Sequence, residues 1–204
     1  MISGGGCMIR KRHVALLGDV NLENCDKAIQ CLYKFYEEDP NEGIDFVITS
    51  LGGSSDLAFM VYDTVRFILS DLPVRIIGVG DVQSAAIIVF LSGQERIVTP
   101  NTKFFFHEFS RSFEHVELNT SDFQRITLQI IHDQDNYIRV VAEHTNQAPH
   151  EVRRWMQKGT FFTAAQAVDI GLAHSVWEPG EDSTKTNKKK FVDVLGAPSR
   201  LAVY

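Results

Sequence analysis

Apolar positions in this chain change period along its length, and the changes predict the elements. His13 to Gly18 is a short apolar run and reads as a strand. Asn21 then stands as a cap before Leu22, Cys25, Ile29, Leu32 and Tyr36, whose spacing of three and four predicts one stripe of a helix reaching about Asp39. The turn "DPNEG" ends it. Ile44 to Thr49 is a second strand, "SLGGSS" follows, and Leu57, Met60, Val61, Thr64 and Ile68 predict the face of the next helix. Val74 to Val79 is a third strand, running into a Gly-x-Gly corner. Ser84 and the continuous apolar run Ala85 to Leu91 behind it predict a buried helix, Ser84 to Leu91, stopped by Gly93. Arg96 to Thr99 and Lys103 to His107 read as strands on either side of a "PN" turn. A long helix is expected from about Ser121 to His144, with Phe123, Ile126, Ile130, Ile131, Tyr137, Ile138 and Val141 as its apolar positions. Pro149 opens a short helix, where its missing N–H costs nothing. "FFTAAQAVDIGL" predicts a small helix stopped by Gly171, and His174 to Trp177 a last strand.

Strands alternating with helices point to an α/β fold with a mainly parallel sheet. The turns after the second and third strands then meet at the carboxyl edge of that sheet, where open α/β sheets place their ligands.

Composition narrows the class. The chain has 204 residues, enough for one domain and a sizeable core. Its formal net charge of −6 argues against nucleic acid, and Arg10-Lys11-Arg12 and Lys188-Lys189-Lys190 are too short for binding patches. Cys7, Cys25 and Cys31 form neither a metal-ligand spacing nor CxxC and read as free thiols. No apolar run reaches the roughly 18–20 residues of a membrane span, and "MISGGGCMIRKR" lacks the apolar core of a secretory signal. The expected location is cytoplasmic, with an organelle left open; no cofactor, metal, membrane or nucleic acid is expected. From Pro179 the chain turns polar, "PGEDSTKTNKKK", which marks residues 179–204 as a linker and tail.

One hydroxyl stands out. Ser84 sits between the Gly-x-Gly corner and an apolar helix whose first N–H groups lack intrahelical partners. An oxygen there could attack a carbonyl whose developing charge faces those donors, Ala85 N–H first. The plainer reading is that Ser84 caps the helix, and on this corner alone it is the better one. Two further stretches shift the balance. The glycines of "SLGGSS" let backbone approach a substrate and present a second donor. "PNTKFFFHEF" ends an apolar strand on His107, a candidate general base.

These stretches resemble the proteolytic subunit of the Clp protease, a ring-forming serine peptidase. "ITSLGGSSDLAFMVYDTVRFI" is similar to its I-N-S-P-G-G block, "GVGDVQSAAIIVFLSG" to its G-x-A-A-S-M-G block, and "TPNTKFFFHEF" to its L-P-N-S-R-x-M-I-H-Q-P block. "AEHTNQAPHEVRRWMQKGTFFTAAQAVDIGLAHSV" resembles the block ending F-L-S-A-x-E-A-x-x-Y-G-L-V-D. The similarity runs from about Ile9 to Val176, which marks 9–178 as the peptidase domain after a short segment, 1–8. It implies a crotonase-like ββα superhelix with a projecting long "handle" helix through which two heptameric rings stack. It also implies Ser84 as nucleophile, His107 as base, Gly53 and Ala85 as oxyanion donors, and Gly52, Ser54, Ser55, Ser110, Arg111 and Ser112 as the strands that clamp an extended peptide.

The departures are specific. The family's triad aspartate aligns with Gly159, in "QKGTFF", which has no carboxylate. Asp133, Asp135, Asp169 or a neighbouring subunit are the candidate substitutes; Glu108 is disfavoured, because adjacent strand residues point to opposite faces. An aspartate restored at 159 is expected to raise kcat. Leu51 replaces a proline and Ala86 a glycine. Only about eight residues precede the match, so the AAA+ unfoldase partner that the resemblance implies is left open. The favoured expectation is a serine endopeptidase; the alternatives are a catalytically weak or inactive paralogue serving as a ring subunit, and an acyl-CoA enzyme of the same fold.

Overall fold

The computed structural model describes residues 9–110 and 117–178. Segments 1–8 and 179–204, with Cys7, Arg111 and Ser112, lie outside the described residues.

Strand β1 (His13–Leu17) leads into helix α1 (Leu22–Glu38), capped as expected by Asn21, whose side chain accepts from Asn24 N–H. Cys25, Ala28 and Leu32 bury the inner face of α1, while Leu22 at its first turn stays exposed. Strand β2 (Ile44–Ser50) precedes α2 (Ser55–Asp63). A π-helical turn (Thr64–Ile68) continues α2. Such a turn adds a residue to the α-helical period, so the buried positions become Val65 and Leu69, and the expected Ile68 points outward.

Strand β3 runs from Val74 to Gln83, well past the expected end at Val79. Gly80, at φ +66, bends it without ending it. Its first half pairs in parallel with β4 (Glu95–Val98), its last three residues with β5 (Lys103–Phe106). The central sheet order is β1-β2-β3-β4-β7, all parallel, where β7 is Ser175–Val176. The expected mainly parallel sheet is therefore present, with one antiparallel exception. Strand β6 (Thr160–Thr163) lies against β5, Phe105 opposite Phe161. The sequence reading folded these residues into the following helix, which is the shorter α6 (Ala164–Asp169), begun by a capping box between Thr163 and Gln166.

Helix α3 (Ala86–Leu91) is wholly buried and forms the centre of the core with Phe90, Phe104 and Phe106. Helix α4 (Thr120–Thr145) buries Tyr137, Ile138, Val140 and Val141 in its second half, but leaves Phe123, Leu128 and Ile131 exposed in its first. Helix α5 (Pro149–Lys158) ends at Gly159, φ +61. Below the site the sheet is fastened by a buried ion pair: Arg75 reaches Asp45, directly opposite it in the β2–β3 ladder, through two 2.8 Å hydrogen bonds.

Candidate active site

The bent end of β3 carries Ser84 out of the sheet at φ +53, a left-handed conformation rare for a residue with a side chain. Three contacts hold it there. Its N–H donates to Phe105 O (2.9 Å), its carbonyl accepts from Ile87 N–H (3.0 Å), and the Tyr137 hydroxyl donates to that same carbonyl (3.2 Å). Tyr137 is buried, and burial pushes its hydroxyl far above the usual range, so it acts as a neutral donor. Ser84 does not cap α3: the residue at the cap is Ala85, in helical conformation, and no side chain bonds there. The plainer reading of this serine is therefore set aside by its geometry.

Gly52 lies directly against the serine. A Cβ on it would stand 2.7 Å from Ser84 Cβ, and its φ of +111 suits glycine alone. Its N–H donates to Ser50 Oγ (3.0 Å) and its carbonyl accepts from Val20 N–H (2.8 Å), so its main chain is engaged inside the protein. Ser54 is engaged too, its N–H on Val20 O and its hydroxyl capping α2 through Leu57 N–H. Among the described residues the N–H groups of Gly53 and Ala85 make no such bonds.

A cleft of about 450 Å³ gathers Leu51, Gly53, Ser54, Ser55, Ser84, Ala85, His107 and Ser110, with Phe109 and Ile130 on its apolar wall. Ser84 and His107 thus share one cleft, and among the described residues no hydrogen bond joins their side chains. In unliganded sites such bonds commonly form only with substrate present.

Among the described residues, no hydrogen bond or ion pair joins His107 to a carboxylate. Its Nδ1 lies 2.7 Å from the main-chain oxygen of Glu108. Its ring packs on Phe105 (centroids 5.5 Å apart, 31° between planes), and Phe105 stacks on Phe161 (4.1 Å, 18°). Of the carboxylates proposed from sequence, Asp135 is bonded to Arg153 (2.8 Å) and Asp169 is exposed on α6. The sequence disfavours Glu108 as a carboxylate and says nothing of its carbonyl, a group present at every residue and so invisible in residue types. Phe105 and Tyr137 were also missed as site residues, because both read as core.

A family model described as Clp protease matches residues 4–180. Among solved structures, a point mutant of ClpP1 from Listeria monocytogenes is similar with a TM-score of 0.73 and 23% identity, over 82% of this chain and 91% of that one. The two chains share a fold, and the α/β, crotonase-like architecture expected from the resemblance is the one observed.

Proposed function

Since the chain belongs to the Clp protease family, we propose that it is a serine endopeptidase that cuts extended peptides through Ser84 and His107. The observation that carries this reading is the left-handed Ser84, facing a cleft that also holds His107 and two unengaged N–H groups. His107 takes the Ser84 proton as Oγ attacks the scissile carbonyl. The oxyanion forms between the N–H groups of Gly53 and Ala85, the protonated imidazole delivers its proton to the leaving amine, and water releases the acyl group by the same steps. Gly52 is the close spacer beside the nucleophile, and the chain at Gly53 to Ser55 and at Ser110 holds the peptide as an added strand.

The peptidase domain spans 9–178 and assembles with copies of itself in stacked heptameric rings through α4, in a cytoplasmic setting. The runner-up, a weak or idle ring subunit, is favoured by Gly159 and by the aromatic ring that stands before it. The deciding experiment is incubation with a fluorophosphonate and mass spectrometry of the labelled peptide. Labelling at Ser84 in wild type and its loss in Ser84→Ala is the expected result; a folded wild type that never labels supports the idle subunit.

A further inference from the structure

The site places something other than a carboxylate behind its base. The β5–β6 ladder ends at Phe106 with Thr160, and the next residues along the two chains are His107 and Gly159, the latter the left-handed cap of α5. A Cβ built on Gly159 nevertheless meets Phe105, at 3.6 Å from Cε2 and 3.7 Å from Cζ, and those are the heavy atoms found within 4 Å among the described residues. The edge of Phe105 is therefore in van der Waals contact with any side chain placed at 159. The same ring stacks on Phe161 and packs, tilted by 31°, beside the His107 imidazole.

The Glu108 contact is informative chemically. A carbonyl oxygen can only accept, so the 2.7 Å bond places the proton on Nδ1 and leaves Nε2 with the lone pair a general base needs. One bond to the next residue along the chain sets the tautomer but does not stop the ring from turning. A flat aromatic face does, provided it is itself held.

We infer that Phe105, backed by Phe161, is a positioning residue for His107, and that with the Glu108 carbonyl it orients the base without a carboxylate. This rests on the proposed Ser84–His107 chemistry and adds to it how the imidazole is held. Orientation is supplied; the charge that would stabilise the imidazolium is not. An aspartate placed at 159 would pack against the ring edge at a φ of +61, which L-residues adopt only at a cost, so the single restoration is expected to gain little.

The experiment compares wild type, Phe105→Ala, Gly159→Asp and the double variant, with Phe105→Leu included because it keeps apolar volume for folding while losing the flat face. Steady-state kinetics on a fluorogenic peptide and the ring ¹⁵N shifts of His107 are read together. Phe105→Ala lowers kcat by about tenfold or more, part of the roughly 10²–10⁴-fold a positioned base is worth, while KM changes little. Phe105→Leu falls between it and wild type. Gly159→Asp alone stays within about twofold of wild type, and the double variant recovers about tenfold over Phe105→Ala, as restored orientation and charge predict. In wild type the ¹⁵N shifts report an Nδ1–H tautomer, and in Phe105→Ala a mixture. The inference is overturned if Gly159→Asp alone gains as much as the double, or if Phe105→Ala keeps both kcat and the single tautomer. If Ser84→Ala still turns over, the Ser–His chemistry fails instead, and the tautomer measurement alone decides the role of Phe105.

Discussion

At Gly52 the absence of one carbon decides the shape of the site. Any side chain there would drive its Cβ to within 2.7 Å of Ser84 Cβ, at a φ that L-residues avoid. Gly52→Ala is expected to cost roughly 1–3 kcal/mol, the scale of a forced backbone conformation. It should also slow fluorophosphonate labelling by about a hundredfold, since misplacing a reacting atom by an ångström costs that much. Urea melts and labelling rates on one preparation measure both. Tyr137→Phe is milder: it removes the hydroxyl from the Ser84 carbonyl and should cost about 1 kcal/mol. Asp45→Asn is severe for a different reason. It leaves Arg75, which is buried beside it, without its full counter-charge, and breaking such a pair costs roughly 3–5 kcal/mol by denaturant titration.

Helix α4 has two halves with different duties. Ile138, Val140 and Val141 belong to the core of the domain, and Ile130 faces the cleft. Phe123, Leu128 and Ile131 are exposed within the protomer, on the half nearer the capping box at Asn119. Replacing Ile138 with glutamate is therefore no test of assembly, because an unpaired buried charge unfolds the domain before it parts any interface. The informative pair is Phe123→Glu with Ile131→Glu. If α4 joins copies, sedimentation should show that pair as a smaller species with unchanged circular dichroism; an unaltered sedimentation coefficient would exclude this half of α4 as the joint.

Across the whole molecule, Arg96 ties the far end of the sheet to the helices. Its guanidinium donates to the carbonyls of Leu172, Gly171 and His144, and burial brings its pKa down to about 10. Two histidines flank it. Arg96 N–H donates to His174 Nδ1 (3.2 Å), which must therefore keep a lone pair. His144 donates from Nδ1 to Val140 O (2.9 Å), with its Nε2 towards the Tyr62 hydroxyl. Both are pushed below the ordinary 6.5, by burial first; Arg96 adds to it at each, Arg66 also at His144, against opposite pulls from the Val140 carbonyl bond and Glu143 at His144 and from Glu95 at His174. The unfolded chain then binds more protons than the folded one just below pH 6.5, so stability falls as pH drops through that value. Urea midpoints at pH 7.5 and 5.5 should show the loss, and His144→Gln should flatten it. A midpoint independent of pH would refute the account.

Local chemistry was legible in the sequence. Asn21 before an apolar stripe, Pro149 at a helix start and Gly171 at a helix end act through neighbours three or four residues away, and each was found where expected. The alternation of strand and helix, and the candidate roles of Ser84 and His107 beside glycine turns, were likewise visible in residue order. What the sequence could not state depends on partners distant along the chain. Four residues from Thr160 to Thr163 carry no strand pattern of their own; they extend because β5 offers them a ladder. Strand β3 runs past Gly80 because Asp81 to Gln83 find β5. The left-handed Ser84 is held by Phe105 and Tyr137, from two other elements, and the Phe105 ring touches both position 159 and the His107 imidazole only when β5 and β6 lie side by side. Periodicity and capping are short-range forces and leave their mark in short stretches of sequence; the filling of a space by one ring is decided only when the strands that bound it have met.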